Sequence, residues 1–169
     1  MGGMHRILVV DDNTAIHRDF QKILTSTEAR SEIRDLEKDL FGSGPASLPP
    51  MRQFQVTCAE NGQRALEIVK RACQEGRPFT MAFVDMRMPG WDGIETCSQL
   101  YRVQPDLQVA ICSAYMDYSW HEVLQKLQRP GLRLLRKPWT SGEVLALVHE
   151  LCGRAGQTKA PPQSRKLST

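Results

Sequence analysis

The chain has 169 residues, 41% of them apolar and 24% charged, with 22 basic and 19 acidic side chains. That length suits one domain with its own core, without disulfide or metal staples. No apolar run reaches the roughly 18 residues of a membrane span, and Met1 to Arg6 lacks the apolar stretch of a signal peptide, so a cytosolic chain off the membrane is expected.

The formal charge of +3 sits at the end of the chain. Residues 153–169 carry Arg154, Lys159, Arg165 and Lys166 and no acid, which leaves 18 basic against 19 acidic side chains in residues 1–152. A nucleic-acid-binding domain gathers its basic residues on the folded part, so direct nucleic-acid binding is not expected. The Gly, Pro, Ser, Gln and Thr of residues 153–169 read as a disordered tail or linker. Met4 reads as the native start. The five cysteines (Cys58, Cys73, Cys97, Cys112, Cys152) form no CxxC pair and no metal spacing, so reduced thiols are expected. The histidines (His5, His17, His121, His149) are scattered and read as surface or packing residues.

In chain order, the first apolar run is Ile7–Val10. A helical pattern over Thr14–Leu24 follows, with Ile16, Phe20, Ile23 and Leu24 on one face. Residues 26–53 break the rhythm and read as an insertion. It holds a charged stretch, Thr27–Leu40, striped by Ile33, Leu36 and Leu40, and then the loop Gly42–Pro50. A second strand is expected at Phe54–Cys58 and a helix over Gln63–Cys73. A third strand at Met81–Val84 precedes a helix over Ile94–Val103. A fourth at Val109–Cys112 precedes a helix over Trp120–Leu127. The fifth and weakest strand, Leu132–Leu135, precedes a helix over Gly142–Leu151. Continuously apolar strands alternating with amphipathic helices predict an α/β doubly wound fold around a parallel sheet.

Ligands of such sheets bind beyond the carboxyl ends of the strands. Strand 1 is followed by Asp11 and Asp12, strand 3 by Asp85, strand 4 by Ser113 and Ala114, and strand 5 by Lys137 and Pro138. Clustered carboxylates repel one another unless a cation neutralises them. Oxygen ligands without thiol or imidazole favour Mg²⁺. With the Lys137 ammonium and the Ser113 hydroxyl, such a cluster is a cradle for a phosphoryl group. Asp85 is then placed to attack phosphorus and form an acyl phosphate.

The segments Ile7-Leu8-Val9-Val10-Asp11-Asp12-Asn13, Val84-Asp85-Met86-Arg87-Met88-Pro89-Gly90-Trp91-Asp92-Gly93, Cys112-Ser113-Ala114 and Arg136-Lys137-Pro138-Trp139 together resemble a response-regulator receiver domain of two-component signal transduction. The resemblance spans about residues 4–152, apart from the insertion. It implies a flavodoxin-like doubly wound five-stranded parallel sheet of order 2-1-3-4-5. Asp85 would be the phosphoacceptor, taking its phosphoryl group from a histidine kinase or histidine phosphotransfer protein. Asp12 would ligate Mg²⁺ directly, with Asp11 binding through water or tuning the site, and Asp85 and the backbone carbonyl of Arg87 would complete the metal site. Ser113 would hydrogen-bond the phosphoryl oxygen and Lys137 would pair with the phosphate. The bond before Pro138 would be cis, and Asp92-Gly93 would form the turn into helix 3.

Two departures from the family pattern stand out. The switch position three before the lysine is usually aromatic and is Leu134 here, so the usual swing of a ring cannot occur in its standard form. Tyr115 or Trp120 would have to compensate. Arg87 and the bulky Tyr115 flank the in-line water path of the family, which implies an altered phosphoryl lifetime, readable as the rate of autodephosphorylation. The moving face would be helix 4, strand 5 and helix 5, with Tyr115, Tyr118, Trp120, Leu134 and Trp139 available to an effector domain, another partner or a homodimer.

The expectation is a regulatory switch, not an enzyme acting on other molecules, with residues 1–152 as the receiver. The alternative is a degenerate receiver acting as a phosphorylation-independent scaffold. An aspartyl phosphatase of the haloacid dehalogenase kind would carry a second Asp two residues after the nucleophile, where this chain has Arg87.

Overall fold

A computed structural model describes residues 4–26, 31, 53–114 and 119–155. Five parallel strands form one sheet in the order β2-β1-β3-β4-β5. They are β1 (His5–Val10), β2 (Phe54–Ala59), β3 (Met81–Asp85), β4 (Gln108–Ser113) and β5 (Arg133–Arg136). The doubly wound 2-1-3-4-5 sheet predicted from the motifs is the one observed. The strands run slightly past their apolar runs, because ladder hydrogen bonds continue where side chains turn polar. Leu132 is the exception. Its N–H closes a turn on the Arg129 carbonyl at 3.1 Å, and β5 starts one residue later.

β3 lies at the centre and is buried along its whole length, Asp85 included. Burial on both faces is why its sequence is continuously apolar rather than alternating. Successive side chains still face opposite sides. Leu8, Val10, Ala82, Val84, Val109 and Ile111 join one core layer, while Ile7, Val9, Met81, Phe83, Ala110 and Cys112 join the other.

The helices are α1 (Thr14–Thr25), α2 (Gly62–Gln74), α3 (Gly93–Val103), α4 (Trp120–Leu127) and α5 (Ser141–Ala155). α1 and α5 cover the layer holding Phe83, with Phe20, Leu24, Val144, Leu145, Val148 and Leu151 turned inward. α2, α3 and α4 cover the other face through Ala65, Val69, Cys97, Leu100, Val123 and Leu127. Most starts are marked by side-chain caps. Asn13, Asn61, Asp92 and Ser119 each accept a hydrogen bond from a backbone N–H of the following first turn. Such a cap is worth about 1 kcal/mol.

α5 runs past the expected boundary at residue 152. Gly153, Arg154 and Ala155, expected in the tail, are the last residues of α5. Arg154 pairs with Glu150 one turn earlier at 3.0 Å. The rest of the expected tail, the expected insertion apart from Ser26, Ser31 and Gln53, and Tyr115 and Tyr118 lie outside the described residues.

Candidate functional site

The strand order reverses direction between β1 and β3, the place where an open α/β sheet offers a crevice at its carboxyl edge. Val10 is in register with Val84, so Asp11 and Asp85 follow side by side at that edge. Asp85 is in turn in register with Cys112, the residue before Ser113. Sheet pairing alone thus gathers residues 74 positions apart in the chain.

Asp11, Asp12 and Asp85 each offer a carboxylate oxygen, and these atoms all lie within 4.8 Å of one another. Asp11 and Asp85 are buried and Asp12 is exposed. Lys137 reaches over them from the segment after β5. Its Nζ donates to Asp85 Oδ1 at 2.9 Å and to Asp11 Oδ2 at 3.1 Å. One ammonium against three carboxylates leaves an acidic pocket with a formal charge of −2. An all-oxygen donor set of that sign suits a hard divalent cation such as Mg²⁺ and offers nothing to a thiophilic metal.

Burial raises the pKa of Asp85. The hydrogen bond from Lys137 opposes that rise, and the charge of Asp11 adds to it. For Lys137 burial favours the neutral amine, but its hydrogen bonds to Asp85 and Asp11 and their charges outweigh it, so the pKa is raised and the ammonium persists. Both directions follow from geometry: burial dominates at Asp85, while two carboxylate partners outweigh it at Lys137.

The flanking segments are built to hold this arrangement. The Lys137–Pro138 peptide is cis, as the resemblance implies. The Lys137 N–H donates to the Ser113 carbonyl at 2.8 Å, which ties the lysine segment to the end of β4. Ser113 is half-buried there, in register with Arg136. Arg87 is exposed in the loop after β3. Gly90 in that loop has φ +82°, a conformation few residues other than glycine adopt. Asp92 caps α3 by accepting from the Glu95 N–H at 2.8 Å, and the Gly93 N–H donates to the Met86 carbonyl at 2.9 Å. A Cβ on Gly93 would lie 2.7 Å from the Asp85 carbonyl oxygen, so glycine is required where α3 begins against the site.

The structure therefore brings together Asp11, Asp12, Asp85 and Lys137, with Ser113 at the end of β4 and Arg87 in the loop after β3. Leu134 is half-buried and in register with Ile111. Trp120 and Trp139 pack partly against the two core layers. His17, read from the sequence as a surface or packing residue, is buried with its ring against the Asp11 backbone. The signal was present: His17 lies three before Phe20 and seven before Leu24, on the buried stripe of α1. All five cysteines are free.

Comparisons with known proteins agree with this geometry. The family model for the response regulator receiver domain matches residues 46–149, more than half the chain; β1 with Asp11 and Asp12 lies ahead of the matched stretch. Protein-glutamate methylesterase/protein-glutamine glutaminase 1 of Rhodospirillum rubrum is 27% identical over 85% of this chain and 30% of its own length. Response regulator MprA of Mycobacterium sp. strain KMS is 26% identical over 92% of this chain and 54% of its own. The chain thus spans about half or less of the curated relatives it matches. Among solved structures, a CheY-like receiver domain protein from Methanospirillum hungatei is 18% identical with a TM-score of 0.60, covering 92% of this chain and 98% of that one. A protein described as adenylate cyclase from Rhodopirellula baltica is 22% identical with a TM-score of 0.65, covering 92% of each chain. No helix among the described residues is long and apolar enough to cross a membrane. With the five-stranded 2-1-3-4-5 sheet, the acidic pocket at its carboxyl edge and the family match in agreement, the chain belongs to the response regulator receiver domain family of two-component signalling.

Proposed function

We propose that this chain is a phosphorylation-dependent signalling switch whose phosphoacceptor is Asp85. The observation that carries this reading is Lys137 bridging Asp85 and Asp11 at 2.9 and 3.1 Å beside the exposed carboxylate of Asp12. The donor is the phosphohistidine of a histidine kinase or histidine phosphotransfer protein. A carboxylate oxygen of Asp85 attacks phosphorus, the P–N bond breaks, and the imidazole leaves and takes up a proton. The product is an acyl phosphate on Asp85.

Each residue has a part in that step. Lys137 offers an ammonium that passes from the carboxylate pair to the phosphoryl oxygens. Ser113, at the end of β4, donates its hydroxyl to a phosphoryl oxygen. Asp11, Asp12, Asp85 and the backbone carbonyl of Arg87 would hold Mg²⁺. The bound ion supplies neutralisation of the charge gathered between carboxylates and phosphoryl group.

The added charge of about −1.5 to −2 then shifts the balance between two packings of the α4-β5-α5 face. That face, with Trp120, Leu134 and Trp139, serves an effector domain, another partner or a second copy. We take residues 1–152, extended by the end of α5, as the switch unit, and the cytoplasm as its compartment. Leu134 at the usual aromatic position supports one other reading, a scaffold that works without phosphorylation.

Beryllium trifluoride with Mg²⁺, a phosphoryl mimic, separates the two. Saturable binding to the wild type, lost in Asp85→Ala, is expected and would be measured by calorimetric titration. Absence of binding to the wild type would favour the scaffold.

A further inference from the structure

α1 reaches the candidate site through a side chain with no role in the chemistry above. His17 is 8% exposed, and its ring Nε2 lies 2.7 Å from the backbone carbonyl oxygen of Asp11. A carbonyl oxygen only accepts, so Nε2 must carry the hydrogen and donate it.

Asp11 is thereby held at four points. Its N–H donates to the Ala59 carbonyl at 3.1 Å, continuing the β1–β2 ladder. Its carbonyl accepts from His17. Its Oδ1 accepts from the Asn13 N–H at 2.8 Å, and its Oδ2 from Lys137 at 3.1 Å. The carbonyl carries the consequence for the neighbouring residue. It belongs to the planar unit that ends at the Asp12 Cα. Fixing its direction fixes the plane from which Asp12 departs, and Asp12 is the exposed carboxylate of the cluster.

The same face of α1 supports the rest of the site. Phe20, one turn on from His17, has its ring centroid 4.5 Å from that of Phe83 in β3 and 5.2 Å from that of Trp139, two residues after Lys137.

We propose that His17 is a positioning residue: by donating to the Asp11 carbonyl it fixes the Asp11–Asp12 peptide plane and so aims the Asp12 carboxylate for a divalent cation. This rests on the reading of the acidic pocket as a Mg²⁺ site. Outer partners of metal ligands are worth tenfold or more in affinity.

The test compares wild type, His17→Phe and His17→Gln by calorimetric titration with MgCl₂, beside thermal unfolding without metal. Phe keeps the ring volume and loses the donor. Gln can return an amide N–H near the Nε2 position. His17→Phe is expected to bind Mg²⁺ about tenfold more weakly, and His17→Gln within roughly threefold of wild type, whatever their metal-free melting temperatures. Wild-type affinity in His17→Phe, or equal weakening in both variants, would overturn the proposal. A wild type that binds no Mg²⁺ overturns the metal-site reading and this inference together, which distinguishes the two failures. Should His17→Phe not fold, ¹⁵N NMR of the wild type at about pH 8, above the ordinary histidine pKa of ~6.5, decides: a hydrogen on Nε2 is required, and a bare Nε2 overturns the proposal.

Discussion

Asp85 experiences two opposed influences. Burial and the nearby Asp11 favour its protonated form, while Lys137 favours the carboxylate, and burial wins. The folded chain therefore holds this proton more tightly than the unfolded chain does. The stability that follows is fully present below the ordinary value of 3.8 and is lost as pH rises through the raised value. Asp85→Asn removes the charge and keeps an oxygen for Lys137. The metal-free variant is expected to melt above wild type at pH 7, as read by thermal unfolding. The difference between the two should shrink as pH falls. A variant that melts below wild type at pH 7 would show that the Lys137 pair outweighs burial. Asp11 and Asp85 were legible as residues because each directly follows an apolar run, and Lys137 because it comes two residues after one. That Lys137 bridges the two carboxylates was not legible, since it depends on the path of the segment after β5.

At the scale of elements, α3 shows how a start signal doubles as a packing constraint. Asp92 caps the helix, and Gly93 lets its first turn close on the end of β3. A methyl group there would meet the Asp85 carbonyl oxygen at 2.7 Å and the Met86 Cα at 2.8 Å, both backbone atoms that cannot rotate away. At the first residue of α3, Gly93→Ala gains less than the roughly 1 kcal/mol of a helix interior and meets an overpacking cost of roughly 1–3 kcal/mol or more. Net destabilisation is expected by denaturant titration, despite the better helix former. A more stable variant would mean that the α3 start yields readily. The sequence carries the Asp92 cap, but the approach of α3 to β3 is a tertiary distance. α5 makes the converse point: it runs to Ala155, past the last residue of its apolar stripe.

At the scale of the whole molecule, the two core layers enclose ionisable groups that burial keeps neutral. Cys97 and Cys112 are fully buried between sheet and helices, and burial lifts both thiols far above their ordinary value of 9.0. Burial likewise raises Tyr101, against the opposing charge of Arg129, whose guanidinium lies 4.3 Å from the ring centroid. Raised values mean that this stability is present below the ordinary ones and lost as pH climbs past them. The denaturant midpoint is therefore expected to fall between pH 8 and pH 10. In the native state at pH 8, Cys97 and Cys112 should resist alkylation and become labelled on unfolding. Labelling of both at the unfolded rate in native protein would contradict the closed two-layer core.

The sequence by itself determined the alternation of strands and helices, the parallel sheet and the acidic and basic residues at its carboxyl edge. These are properties of local pattern: apolar runs, helical stripes, and the residue that follows each strand. Only the tertiary structure decided that Lys137 spans Asp85 and Asp11, that Gly93 must lack a side chain, and that the His17 ring holds the Asp11 carbonyl. Those facts depend on distances between elements far apart in the chain. They are set by how two helical layers close over one sheet, which no local window of sequence encodes.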